Sequence, residues 1–191
     1  MTLPARLRSS AAARLIERVR RLARPEEVPQ ARLRKFLRES ARRPRISLSG
    51  EAPGSVAVVV PCFSHAAYLS DMFDSIVAQS RLPDEVIFVD DCSPDSTGEI
   101  LRSLVAIHRE TAGRRFEVVV NERNMGQAGS LNRGISMATS DLILILNDDD
   151  YLMHDAVESM LALFAQHRDV ALIGAHSSIS RATSRWRPNR S

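Results

Sequence analysis

Three consecutive carboxylates, Asp148, Asp149 and Asp150, follow the apolar run Leu142–Leu146 after a single Asn147. Held together they repel one another, and each unit of pKa shift this forces corresponds to about 1.4 kcal/mol. A cation removes that penalty. Hard oxygen donors without a neighbouring Cys or His pair suit Mg2+ or Mn2+, which bridge a few carboxylates to substrate phosphates. The plainer alternative is a solvated acidic loop leading into a helix that Asp155 caps, but a cap needs only one acid.

The elements that must position these acids are legible upstream and downstream. Val56–Val60, Val86–Val89, Phe116–Val120, Leu142–Leu146 and Val170–Ile173 are short, mostly aliphatic runs. Such runs suit strands buried on both faces of a parallel sheet. Between them, Leu69, Met72, Phe73, Ile76 and Val77 fall on one helix face. Ser96 and Glu99 form a capping box for a second helix carrying Ile100, Leu101, Leu104 and Val105. A third helix is expected through Leu131, Ile135 and Ala138, and a fourth from Asp155 through Val157, Met160, Leu161 and Phe164. Strand and helix alternate, which predicts an α/β fold with a doubly wound, mainly parallel sheet that binds ligands beyond the carboxyl ends of its strands. At those ends stand Pro61 to His65, Asp90 to Ser93, Asn121 to Gly126 and Asn147 to Asp150.

Charge divides the 191-residue chain. Residues 1–50 hold thirteen Arg and Lys35 against four Glu, whereas residues 51–191 hold twelve Arg against nineteen acids. The first part is expected to be a basic helical extension with a linker at Arg45 to Ser55, residues 51–180 the sheet domain, and residues 181–191 a disordered basic tail. The arginine faces of residues 1–45 allow contact with a protein or an anionic membrane surface. Without aromatic residues among those arginines, nucleic acid is not expected as a partner. No apolar run is long enough to cross a bilayer and no signal peptide is recognised, so a cytoplasmic location is expected, with the inner face of a membrane as an option. Cys62 and Cys92 are too few and too isolated for a disulfide framework or a Cys-x-x-Cys site. A zinc site from Cys62, Cys92, His65 and His154 matches no ligand spacing, so ordinary packing is preferred.

Four segments in order carry a family resemblance: Val58 to Ser64, Val89 to Asp95, Asn124 through Ile135, and Asp141 to Asp150. Over roughly residues 56–175 the sequence resembles the family 2 glycosyltransferases of the GT-A fold. The resemblance implies a nucleoside-diphosphate-sugar donor, an acceptor that the sequence does not identify, and a divalent metal, Mg2+ or Mn2+. It puts Asp148 and Asp149 at the acidic DXD motif, with Asp149 as metal ligand beside Asp148 and Asp150. It also puts Asp91 toward the nucleotide base, Asp90 among the residues that bind the nucleotide sugar, Pro61 and Phe63 in the walls of the nucleotide pocket, and Asn132 beside the donor. An ionised Asp only accepts hydrogen bonds, which suits Asp91 to a base N–H, with an Asx turn to Ser93 as the alternative.

The departures are specific. Asn147 stands where the first Asp of the motif is usual, Ser64 where Asn is usual, Cys92 where Gly is usual, and Leu131 where a basic residue often precedes Asn132. The catalytic acid that such enzymes carry well downstream of the motif is not found, so the general base is unassigned. A catalytically incomplete nucleotide-sugar-binding module, from a truncated or split transferase, is therefore the alternative expectation. Dinucleotide and P-loop readings lack their glycine signatures. A phosphoacceptor receiver needs a downstream Lys, and no Lys follows Lys35. A nucleotidyltransferase would carry a Gly-rich basic loop where Pro61-Cys62-Phe63-Ser64 stands.

Overall fold

The computed structural model describes residues 54–112, 114–167 and 171–174. The expected N-terminal helices, the linker up to Pro53 and the tail 181–191 lie outside them. Four strands, β1 (Val56–Cys62), β2 (Glu85–Asp90), β3 (Arg115–Val120) and β4 (Leu142–Ile145), alternate with helices α1 (Leu69–Val77), α2 (Thr97–Ala112), α3 (Gly126–Met137) and α4 (Ala156–Gln166). The sheet is parallel throughout, in the order β3-β2-β1-β4. Residues 171–173, expected as a fifth strand with Val170, are irregular, and Val170 lies outside the described residues. A run of four apolar residues does not by itself distinguish a strand from an apolar loop.

Alternation along the strands divides the sheet into two faces. One carries Val58, Val60, Val86, Phe88 and Phe116, which form the main core with Leu69, Met72, Phe73 and Ile76 of α1, Ile100 and Leu101 of α2, and Leu161 of α4. Phe73 stacks on Phe88 with ring centroids 5.7 Å apart. The other face is covered by α3, which comes close because its contact residues are small: Ser130 and Gly134 are its buried positions. A Cβ at Gly134 would lie 2.5 Å from Val59 Cγ1 and 3.1 Å from Val89 Cγ2. The expected apolar stripe on this helix is thus replaced by a small-residue contact. Leu131 is half-buried and Ile135 is exposed.

Two hydrogen-bonded anchors brace the sheet and the loop after β4. At the amino ends, buried Glu85 accepts from Arg115 Nη1 at 2.6 Å, Thr139 Oγ1 at 2.8 Å and Ser140 Oγ at 2.6 Å. The segment after β4 is fastened to the C-terminal end of α1. Leu152 N–H donates to Ser75 Oγ at 3.1 Å, and Gln79 bridges Met153 O at 2.6 Å and Val157 N–H at 3.1 Å.

Candidate functional site

Parallel strands place all four carboxyl ends on one rim, and a cavity of about 660 Å3 opens there. The β1–α1 loop contributes Pro61, Cys62, Phe63, Ser64 and His65 to its lining. Asp91 comes from the end of β2, Asn124, Gly126, Gln127 and Ser130 from the β3–α3 loop and the start of α3, and Asn147, Asp148 and Asp149 from the loop after β4.

Asp91 is buried at the cavity floor, where its Oδ1 accepts from Asn121 Nδ2 and Met125 N–H, both at 2.7 Å. Burial pushes its carboxyl up, but hydrogen bonds from Met125, Asn121, Ser130 and Gly126 outweigh it and hold the group below the usual carboxylate range. Asn121 in turn reaches Ser130 Oγ at 2.8 Å and accepts from Arg133 Nη1 at 2.6 Å. One buried acid therefore both faces the cavity and ties the β3–α3 loop in place.

Asp90 lies elsewhere. It is buried, is not part of the cavity lining, and its Oδ1 accepts from Ser93 N–H at 3.1 Å, so the Asx-type turn belongs to Asp90 rather than to Asp91. Its other oxygen closes against the start of α2, where a Cβ on Gly98 would lie 2.4 Å from it. By alternation Asp90 shares the face that carries Phe88, where it is taken up by Ser93 and the start of α2. Asn132 is also displaced from its expected place, being exposed on α3 while Gln127 and Ser130 of the same helix line the cavity.

The three consecutive acids separate into different environments. Asp148 is buried, its Oδ2 accepting from Phe63 N–H at 3.0 Å and its Oδ1 paired with His65 Nδ1 at 2.8 Å. Burial pushes its carboxyl up against the opposing pull of His65 and the Phe63 amide. The hydrogen bond to Asp148 raises His65, against the smaller effect of lost solvent. Asp149 is exposed at the cavity edge. Asp150 is exposed, is not part of the cavity lining, and accepts from Asn147 Nδ2 at 3.0 Å. Asn147 accepts in turn from Gln127 Nε2 at 2.9 Å, a double role that an amide fills and a carboxylate does not. Ligand atoms of His65, Asp148 and Asp149 lie within 4.8 Å of one another, the one such group among the described residues. Their donor set fits a divalent cation, and Asp150 is not part of it.

Two departures from the family pattern fall on strained backbone. Ser64 has φ 56° and Cys92 φ 59°, the left-handed region that Asn and Gly tolerate best. The zinc alternative finds no shared site: Cys62 is buried, with burial first and then Asp148 and Asp90 pushing its thiol up, Cys92 contacts Glu122 O, and His154 contacts Ala78 O. Gln127 and Ser130 are site residues that sequence reasoning passed over, while His65 and Asn121 were placed at strand ends without the roles seen here. Only their positions at strand ends and the first turn of α3 could have singled them out.

Comparison with known proteins bears on the whole arrangement. The family model described as "Glycosyl transferase family 2" matches residues 57–191. The amylovoran biosynthesis glycosyltransferase AmsB of Erwinia amylovora is 32% identical over 109 residues, 57% of this chain and 35% of its own. Glycosyltransferase GlyG of Streptococcus pneumoniae is 31% identical over 105 residues, 55% of this chain and 33% of its own. The chain thus spans about a third of the length of each. Among solved structures, S. aureus TarS in complex with UDP superposes with a TM-score of 0.52 at 26% identity, over 60% of this chain and 33% of that one. The mannosyltransferase PcManGT of Pyrobaculum calidifontis, in complex with GDP-Man and Mn2+, superposes with a TM-score of 0.54 over 83% of this chain and 43% of that one. At 20% identity that likeness concerns the fold alone.

Proposed function

The chain belongs to glycosyl transferase family 2, and on that premise we propose that its rim cavity binds a nucleoside-diphosphate sugar for transfer to an acceptor. The observation that carries this is the convergence of a buried ionised acid, Asp91, with the Asp148–Asp149 pair across one cavity. Asp91 accepts a base N–H, and the partly exposed Phe63 ring with Pro61 gives the base an apolar wall. Asp149, with Asp148 behind it, would hold a divalent cation, Mg2+ or Mn2+, which supplies charge stabilisation for the departing diphosphate. The donor-binding unit is residues 51–180, and the basic residues 1–50 are dispensable for nucleotide binding. TarS, which shares the fold and was crystallised with UDP, supports UDP as the first nucleotide to try.

Calorimetry with UDP tests the reading. The chain should bind UDP about ten-fold more tightly, about 1.4 kcal/mol, with Mn2+ than with chelator. Asp149→Ala should remove the metal dependence, and equal affinity with and without metal would withdraw the cation from the site.

A second reading, donor binding without efficient transfer, is favoured by the state of the acids lining the cavity. Asp91 is engaged by the β3–α3 loop, Asp148 by Phe63 and His65, and Asp149 is assigned to the cation. None of them is free to take the acceptor proton, a role worth about 10² to 10⁴-fold. The 191-residue chain alone should then bind UDP and hydrolyse donor slowly while transferring little sugar. Robust transfer that Asp→Asn at Asp141, Asp150 or Asp155 abolishes would locate a base within the chain.

A further inference from the structure

We propose that His65 is a nitrogen ligand of the cation and that Asp148 is the residue that positions it, an inference that rests on the metal-assisted reading above. Asp148 has little capacity left for a metal. It is buried, Phe63 N–H occupies one of its oxygens at 3.0 Å, and His65 Nδ1 occupies the other at 2.8 Å. A carboxylate only accepts, so Nδ1 must be the donating nitrogen, and a neutral imidazole then presents Nε2 with a free lone pair. This is the arrangement in which an outer carboxylate fixes the tautomer and orientation of a metal-binding histidine. One ring nitrogen of His65 falls within the same 4.8 Å group as Asp148 and Asp149, and His65 and Asp149 both line the cavity, so only a short distance separates Nε2 from the acids. The His65 side chain is 43% exposed, which leaves it open to a metal entering from the cavity, whereas that of Asp148 is 7% exposed.

The backbone supports the assignment. Ser64, at φ 56°, turns the chain just before His65, and its N–H is held by Ser93 Oγ at 3.1 Å. The His65 ring also packs edge-on against Tyr68, with centroids 5.8 Å apart. The strained turn, the ring contact and the carboxylate together fix one imidazole at the acidic end of the cavity. A mixed nitrogen and oxygen donor set favours Mn2+ or Co2+ over Mg2+ more strongly than carboxylates alone.

The test uses the full chain with Mn2+ and UDP, read by pulsed electron paramagnetic resonance. Bound Mn2+ should show coupling to a directly ligated nitrogen, and incorporation of 15N-histidine should convert it to 15N coupling. His65→Gln should abolish the signal and weaken Mn2+ binding by about 10 to 100-fold, while Asp148→Asn should weaken binding in the same range with the nitrogen signal retained. Circular dichroism and UDP affinity in chelator show whether each variant is folded. The 15N label enters all five histidines, so should His65→Gln not fold, His65→Asn takes its place in assigning the signal to His65. Mn2+ bound without nitrogen coupling overturns the ligand assignment and leaves the metal reading intact. Failure of Mn2+ to bind in the presence of UDP removes both.

Discussion

At the scale of single residues, the site is built by giving side chains of one type different surroundings. Asp90, Asp91, Asp148 and Asp149 are chemically identical, yet one closes a turn, one fastens a loop, one orients an imidazole and one stands at the cavity edge. The same scale explains the departures at Ser64 and Cys92, where a side chain with a Cβ occupies left-handed backbone. For an ordinary residue that conformation costs roughly 1 to 2 kcal/mol, and glycine escapes the cost at the expense of greater freedom when unfolded. Cys92 is exposed, so its removal leaves no cavity. Cys92→Gly should therefore stabilise the chain by about 0.5 to 1 kcal/mol in urea unfolding. A loss of stability instead would show that the weak thiol contact with Glu122 outweighs the backbone strain.

At the scale of elements, the four strands were legible as short, mostly apolar runs, and the first helix because its five apolar positions repeat on one face. What was not legible follows from contacts that leave no hydrophobic signature. The third helix meets the sheet through Ser130 and Gly134, so a search for an apolar stripe selects Leu131 and Ile135 instead. Likewise, Asp148 reads as one more metal acid until Phe63 and His65, more than eighty positions away in sequence, are seen to enclose it. Its burial is a tertiary fact that spacing does not encode. The close approach of α3 makes a prediction of its own. Gly134→Ala gains about 1 kcal/mol in helix propensity, but the added methyl group meets Val59 and Val89, and such overpacking costs about 1 to 3 kcal/mol. The variant should melt at a lower temperature than the unsubstituted chain. It should also bind UDP more weakly, because a displaced α3 carries Gln127 and Ser130 away from the cavity. Unchanged melting would mean that the helix can lift without cost.

At the scale of the whole molecule, Asp148 at the rim and the carboxylates at the amino ends of the strands are treated oppositely. At the rim, burial pushes Asp148 up, so ionisation there is opposed by the fold, as suits a group kept for binding rather than for stability. At the amino ends, burial also opposes ionisation of Glu85, but Ser140, Thr139 and Arg115 outweigh it and hold the carboxyl below the usual range. Asp84 is likewise depressed: burial is outweighed there by the Val56 amide, Arg81 and Arg114. A depressed carboxyl contributes stability that is fully present above its unfolded pKa, near 4, and is lost as pH falls through the lower folded value. Glu85→Gln keeps the shape but removes the charge that Arg115, Thr139 and Ser140 surround. Urea unfolding at pH 6 should therefore show Glu85→Gln less stable than the unsubstituted chain by about 1 to 3 kcal/mol, the range for hydrogen bonds to a charged group. The gap should narrow steadily below pH 4, where Glu85 itself becomes neutral. A gap that stays constant down to pH 3 would assign the loss to altered packing at the amino ends of the strands and not to the carboxylate charge.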